Sequence, residues 1–344
     1  MSKAHKEFKN PELEVNLAEE VEITVASVIN QLLFGFSYSN SEERQKFVVL
    51  KNMLSEHMIK AMSPALSFIS TVSSLLRFVP PFKKVFEGYE SEYKFFINYF
   101  ETQIQNHLQN LDEDEDTKDF TDAYLKEILR KKPGYNEKQL KHILYDFWIA
   151  GQETTSNTII FGILYAIHFP ETQKKVHQEL DEKINSSRRI SLADKNDLQY
   201  TQAFVNEVQR FVNLLPMNLF RTTTKNVSIR NFEIPEGTCV IPQISNVLYD
   251  ENVFKNPMDF DPERFLDEDK KLKKIDEFIP FSVGKRQCLG ESLAKMELFL
   301  ILSNLFNQFE IKPVSEHNLP SLKKRVGVTV QPEKFTCVIE KRFK

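Results

Sequence analysis

Apolar residues recur at helical spacing through most of the chain. Over Leu17–Phe34, the residues Val21, Val25, Val28, Leu32 and Leu33 return every three or four positions, the period that lines one helix face, and Gly35 supplies a stop. Residues 42–62 repeat the pattern up to Ser63-Pro64, and 83–109 predict a longer helix rich in Phe and Tyr. Between them, 65–82 is apolar, loosely patterned and closed by Pro80-Pro81. It reads either as a buried connector or as a substrate entrance that dips into a membrane surface. A helix over 120–130 is broken by Pro133-Gly134, and Asn136 with Gln139 predicts a capping box for a helix running to Phe169, before Pro170. Polar 171–184 and amphipathic 201–215 are two more helices, the second ended by Pro216. Residues 222–241 instead alternate between turns at Asn231 and Pro235-Glu236-Gly237, which predicts short strands, and 325–342 reads as a hairpin-like region with a turn near Val328. The fold class is mainly α with a small β component.

The helix before Pro170 has an odd middle, Ala150-Gly151-Gln152-Glu153-Thr154-Thr155. Glycine and threonine weaken a helix interior. Phe147, Ala150, Gly151, Thr154 and Thr158 share one face, small and hydroxylated, as if something flat lies against it; the alternative is a helix–helix crossing through small residues. Downstream, Phe281-Ser282-Val283-Gly284-Lys285-Arg286-Gln287-Cys288-Leu289-Gly290 sets a cysteine two residues after an arginine and just ahead of an apolar helical run, 293–305. Free N–H groups and the helix dipole favour negative sulfur at such a position. Arg286 is a cation suited to a carboxylate, and Gly290 lets the chain pass close to a flat group.

Composition narrows the classes. Nine glycines and no phosphate-loop pattern argue against a glycine-rich nucleotide fold, and a net charge of −4 with no basic half argues against nucleic acid as a partner. Cys239, Cys288 and Cys337 lie far apart, so a disulfide framework is not expected. No zinc spacing is present among the seven scattered histidines, and the polar residues 1–14 read as neither signal peptide nor membrane span. The acidic run Asp112 to Asp116 reads as a solvated loop.

Phe-x-x-Gly-x-Arg-x-Cys-x-Gly is the haem-binding signature of the cytochromes P-450, and Phe281 to Gly290 resemble it at every fixed position. Ala150 to Thr155 are similar to the family's distal-helix motif. Glu207 with Arg210, followed by Arg264 in Asp261-Pro262-Glu263-Arg264-Phe265, resembles its buried structural triad. The motifs stand in family order, and residues 289–300 look most like the animal microsomal branch. The resemblance implies a single cytochrome P-450 domain over 1–344 that binds haem b, with Cys288 as axial ligand. It further implies Arg286, Phe281, Gly290, Ala150 and Arg221 as haem contacts and Thr154 and Glu153 as the groups that handle protons. The implied reaction is monooxygenation of a lipophilic molecule (xenobiotic, fatty acid or steroid) with electrons from NADPH through a flavoprotein reductase. By the same resemblance, Lys270, Lys271, Lys273 and Lys274 read either as part of a donor-docking face or as a solvated surface.

Family members carry about a third of their chain ahead of the position matching residue 1, including a membrane anchor and one wall of the haem site. The expected location is therefore the cytosolic face of the endoplasmic reticulum, or the cytosol if no anchor is present. Two other functions stay open: a non-catalytic fragment that binds haem weakly, and a haem-thiolate isomerase or dehydratase that needs no electron donor.

Overall fold

The computed structural model describes residues 13–343, so the polar N-terminal stretch lies, through residue 12, outside the described residues. The chain divides into two compact units, Met1–Ile160 with Lys323–Cys337, and Phe161–Leu322 with Val338–Lys344.

The first unit is helical. It contains α1 (Leu17–Phe34), α2 (Ser41–Ala61), α3 (Pro64–Thr71), α4 (Phe82–Asn110), α5 (Phe120–Leu129) and most of α6 (Glu137–His168). Stop signals act where the sequence places them. Gly35 closes α1 with φ +71°, a left-handed conformation that glycine adopts freely. Asn40 and Glu43 form a reciprocal capping box at α2, and Asn136 Oδ1 accepts the Gln139 N–H at 2.9 Å. The loosely patterned stretch becomes α3 and a 3-10 turn, Ser74–Phe78. Aromatic rings fill the centre: Trp148 is fully buried against Phe96 and Phe100, with centroids 6.0 and 5.8 Å away, and its Nε1 donates to Asn30 Oδ1 at 3.0 Å.

Gly151 lies against α1. A Cβ there would stand 2.5 Å from Ile29 Cδ1 and 3.0 Å from its Cγ1. The glycine is thus explained by a helix–helix crossing, the plainer of the two readings of that face. Gly151→Ala gains ~1 kcal/mol of helix propensity but loses ~1–3 kcal/mol to overpacking. The net expectation is a variant about 1 kcal/mol less stable by thermal denaturation. Adding Ile29→Val, which removes the clashing methyl, is expected to recover most of that loss.

The end of α4 is tied to the start of α5 by His107. Its Nε2 lies 3.0 Å from Asp119 Oδ2 and its Nδ1 2.8 Å from the Gln103 carbonyl. Burial opposes the charged ring, yet Asp119 and that carbonyl outweigh it and hold the imidazolium above its ordinary 6.5. A raised histidine stabilises the fold fully below the unfolded value and loses that contribution as pH rises through the folded one. Thermal midpoints are therefore expected to fall above about pH 6.5 in wild type, and His107→Gln should flatten that part of the profile.

The second unit holds the last turns of α6 with α7 (Pro170–Lys183), α8 (Gln199–Val212), the short α9 (Ser245–Leu248) and α10 (Glu291–Gln308). Helix α8 ends before Pro216 because Asn213 turns left-handed, φ 45°, and donates its N–H to Gln209 O. The expected short strands form two antiparallel pairs, Arg221–Thr222 with Cys239–Val240 and Val227–Ile229 with Phe232–Ile234. Strand Phe309–Pro313 joins the C-terminal strand, where Lys312 meets Glu340 at 2.8 Å. Tyr165, Phe169, Phe204, Phe211, Phe260 and Phe306 form the aromatic centre of this unit.

Candidate functional site

In the second unit the cysteine loop is built from turns. Ser282 takes φ 63° and Gly284 φ 79°, reversing the chain so that a short 3-10 turn, Gly284–Arg286, can form. The Cys288 N–H then donates to Phe281 O at 2.9 Å, and the Gln287 N–H to Gly284 O at 3.1 Å. Asn218 Nδ2 donates to Ser282 Oγ at 3.2 Å and pins the far side of the turn. The loop delivers Cys288 directly ahead of α10, whose first residue is Glu291.

Cys288 is a free thiol and exposed, as is every residue from Val283 to Gly290; Leu289 is 85% exposed. An apolar residue that bare, beside a thiol, marks a surface shaped for a covering group. A Cβ on Gly290 would meet no atom within 4 Å, so the space beside the thiol is open. Among the described residues neither the Arg286 nor the half-buried Arg221 side chain has a hydrogen-bond or ion-pair partner. One uncovered thiol, open space at a glycine and two guanidinium groups suit a flat, iron-bearing ring with two carboxylates. Phe281 is half-buried at the base of the loop, with the Lys295 ammonium 5.6 Å from its ring centroid.

Also in the second unit, Glu207, Arg210 and Arg264 meet as the motifs imply. Arg210 is fully buried and grips Glu207 through Nε and Nη2 at 2.7 and 2.8 Å. Its other N–H groups donate to the carbonyls of Leu248, Pro257 and Asp259, so all five donors are used. Arg264 Nε reaches Glu207 at 3.1 Å, and its remaining nitrogens bind the Lys255, Asn256 and Asp259 carbonyls. The triad therefore locks the stretch from α9 to the Pro262–Phe265 turn onto α8.

In the first unit the middle of α6 divides by face. Ala150 is exposed and Thr154 half-buried, although Trp148, Ile149, Gln152 and Glu153 around them are buried. Thr154 Oγ1 donates back to Ala150 O at 2.7 Å, and Thr158 Oγ1 to Thr154 O at 2.9 Å. A small, uncovered step with back-bonded hydroxyls suits a flat neighbour.

Glu153 points elsewhere. It is fully buried and held by four side chains: Lys51 and Ser55 of α2, Asn157 of α6, and Gln331 of the C-terminal segment. Oε2 accepts from the Lys51 ammonium and lies 3.4 Å from Ser55 Oγ; Oε1 accepts from Asn157 at 2.9 Å and Gln331 at 2.8 Å. The Val328 turn docks on α2, its N–H donating to Met58 O at 3.3 Å. Sequence reasoning missed Lys51, though a signal existed. Lys51 falls between Phe47 and Leu54, at spacings of four and three, on the buried stripe of α2. A cation on an apolar stripe implies a buried partner.

A model of the cytochrome P450 family matches residues 1–338. Cytochrome P450 2A4 of Mus musculus is 35% identical over 321 residues, covering 91% of this chain and 63% of the relative. Cytochrome P450 2U1 of Bos taurus is 35% identical over 327 residues, covering 92% and 58%. Cytochrome P450 2E1 of Rattus norvegicus is 35% identical over 319 residues, covering 91% and 64%. The chain thus spans roughly three fifths of the length of the curated relatives it matches, between 58% and 64% for these three. Among the described residues no helix is long and apolar enough to cross a membrane.

Proposed function

Because the chain belongs to the cytochrome P450 family, we infer that it works as a haem-thiolate monooxygenase. It inserts one atom of O2 into a lipophilic organic substrate of the xenobiotic, fatty-acid or steroid class. Electrons come from NADPH by way of a flavoprotein reductase. The observation that carries this reading is the exposed Cys288 thiol on its turn-built loop ahead of α10.

Haem bound there would supply the iron that binds and activates O2 and accepts the electrons. The residues of this chain do the rest. Cys288 Sγ would hold the iron, and Arg286 and Arg221 would offer bidentate partners for two carboxylates. Gly290 and Ala150 keep side chains out of the way of a flat ring, and Phe281 supports the loop from below. Thr154 Oγ1 is a hydroxyl that can hold a water or a proton donor on the uncovered face of α6, and Glu153, the residue before it, would supply protons.

Residues 65–82 would bring the substrate in. Phe68, Val72, Leu75 and Phe78 are each more than half exposed, at 52%, 61%, 70% and 63%. So many bare apolar side chains in one short segment favour peripheral contact with the cytosolic face of the endoplasmic reticulum membrane, where a lipophilic substrate concentrates.

The test is the carbon monoxide difference spectrum of the reduced chain, with haem counted per polypeptide. A thiolate-type Soret band at near-stoichiometric haem is expected. Cys288→Ser should abolish that band while leaving far-ultraviolet circular dichroism unchanged, because the side chain supports no packing. Little haem, or a band that survives the substitution, would overturn the reading and leave a non-catalytic piece of a longer enzyme. Product formed without NADPH and reductase would reassign the chemistry to an isomerase or dehydratase.

A further inference from the structure

Two buried carboxylates and an imidazole converge in the first unit, where the end of α4 meets the start of α5. The side chains of Asp119 and His107 are 3% and 13% exposed, and Asp122 is 8% exposed. One ligand atom from each lies within 4.8 Å of the other two. Carboxylates so close and so dry need positive charge between them. The neighbouring ammonium groups are committed elsewhere. Lys118 pairs with Glu115 at 3.0 Å, and Lys126 donates to the carbonyls of Glu113 and Glu115. Asp122 receives only the Lys118 N–H, at 3.4 Å, and has no ion-pair partner among the described residues. A protonated His107 answers one of the two negative charges, and the buried Asp122 is left without a cation. The imidazole is also oriented as a ligand. Its Nδ1 lies 2.8 Å from Gln103 O, which fixes a proton on that nitrogen and turns Nε2 toward the acids. Metal-bound histidines are held in this way, by a carbonyl on the far nitrogen. Gly35 bounds the site from the end of α1: a Cβ there would stand 3.0 Å from Asp119 Oδ2, so the glycine leaves that oxygen room.

We propose that His107 Nε2, one oxygen of Asp119 and one of Asp122 form a binding site for a divalent cation of the zinc type, which clamps α4 to α5. One nitrogen and two oxygens suit zinc, at bonds of about 2.0–2.2 Å with water in the fourth position. Ligand atoms around such an ion stand ~3.4 Å apart, so the present spacing closes by movements of about 1 Å. The charges of two carboxylates and one dication cancel. In the metal-free chain a proton on Nε2 takes the ion's place, and zinc binding releases it. The acidic run Asp112 to Asp116, on the loop that leads into α5, raises the local concentration of cations. The site is built entirely from the first unit and is independent of the monooxygenase reading.

The test is titration of the full chain, as isolated and freed of metal with EDTA, with zinc chloride. Calorimetry measures the binding and thermal melts measure its effect on the fold. Wild type is expected to take up a single zinc and to melt at a higher temperature as zinc is added. Cys288→Ser removes the exposed thiol as a rival ligand and should bind zinc equally well. Asp122→Asn and His107→Gln should each weaken binding by more than the ~10–100-fold that loss of an outer hydrogen-bond partner costs. Asp122→Asn keeps the shape of the side chain, so in EDTA it should melt with wild type, which separates lost ligation from lost folding. Cobalt(II) chloride reports the donors directly, even in a variant that folds poorly. Its d–d bands should appear in wild type without a thiolate charge-transfer band, and should fade in both ligand variants. Zinc binding that survives undiminished in Asp122→Asn and His107→Gln, or that disappears in Cys288→Ser, overturns the proposal. So does a wild-type melting temperature that zinc leaves unmoved, the mark of adventitious surface binding only. No part of the titration needs turnover, so its outcome and that of the haem spectrum are separate.

Discussion

Arg210→Ala is expected to destabilise the second unit by about 3–5 kcal/mol, the range for breaking a buried ion pair from one side. Two effects add. Glu207 remains buried, keeping only the more peripheral Arg264 and the Asp261 N–H, at 3.1 and 2.9 Å. The carbonyls of Leu248 and Pro257 lose the Arg210 N–H groups that now satisfy them, and each buried orphan is worth about 1–3 kcal/mol. Arg210→Lys should recover little, because three donors on a flexible stem cannot reproduce five in a planar fork. Since the desolvated partner dominates the loss, Arg210→Met combined with Glu207→Gln should be milder than Arg210→Met alone. Denaturant unfolding followed by far-ultraviolet circular dichroism measures these differences. A loss under about 1 kcal/mol for Arg210→Ala would show that the triad is not what holds the segment down.

Trp148→Ala should be comparably damaging in the first unit, at about 3–5 kcal/mol for a fully buried large side chain. Trp148 sits within about one ring diameter of Phe96, Tyr99 and Phe100, at centroid distances of 6.0, 6.1 and 5.8 Å, so its removal opens a cavity that stiff aromatic neighbours fill poorly. It also strips Asn30 of its Oδ1 partner, and Asn30 Nδ2 already has none. Trp148→Phe separates the contributions: most of the packing stays and the hydrogen bond goes, so about 1–3 kcal/mol is expected. Thermal melts of the two variants give the split. Equal losses would mean that the Asn30 contact, and not the cavity, sets the stability of this centre.

Much of this protein is decided locally. The bounds of α1, α2, α4 and α5 follow from the 3.6-residue repeat and from stop signals such as Gly35, Ser63-Pro64 and Pro133-Gly134, because capping and left-handed turns involve only neighbouring residues. The Cys288 loop is legible for the same reason: its glycines, its arginine and its thiol lie within ten residues and act through one turn. Glu207 and Arg210 are one helical turn apart, so their pairing too is written in the chain.

Tertiary packing alone decided the rest. Nothing near Gly151 tells whether a ring or another helix needs the space; Ile29, more than a hundred residues away, settles it. Glu153 and Thr154 look equivalent in the motif, yet one turns inward to Lys51 and Gln331, at separations of 102 and 178 residues, and the other stays on the uncovered face. The partners of a buried charge are chosen by which segments happen to pack together, because burial makes an unpaired charge intolerable without specifying who neutralises it. The sequence thus determined the Cys288 loop and the helices around it, whereas only packing decided which side chains reach Glu153.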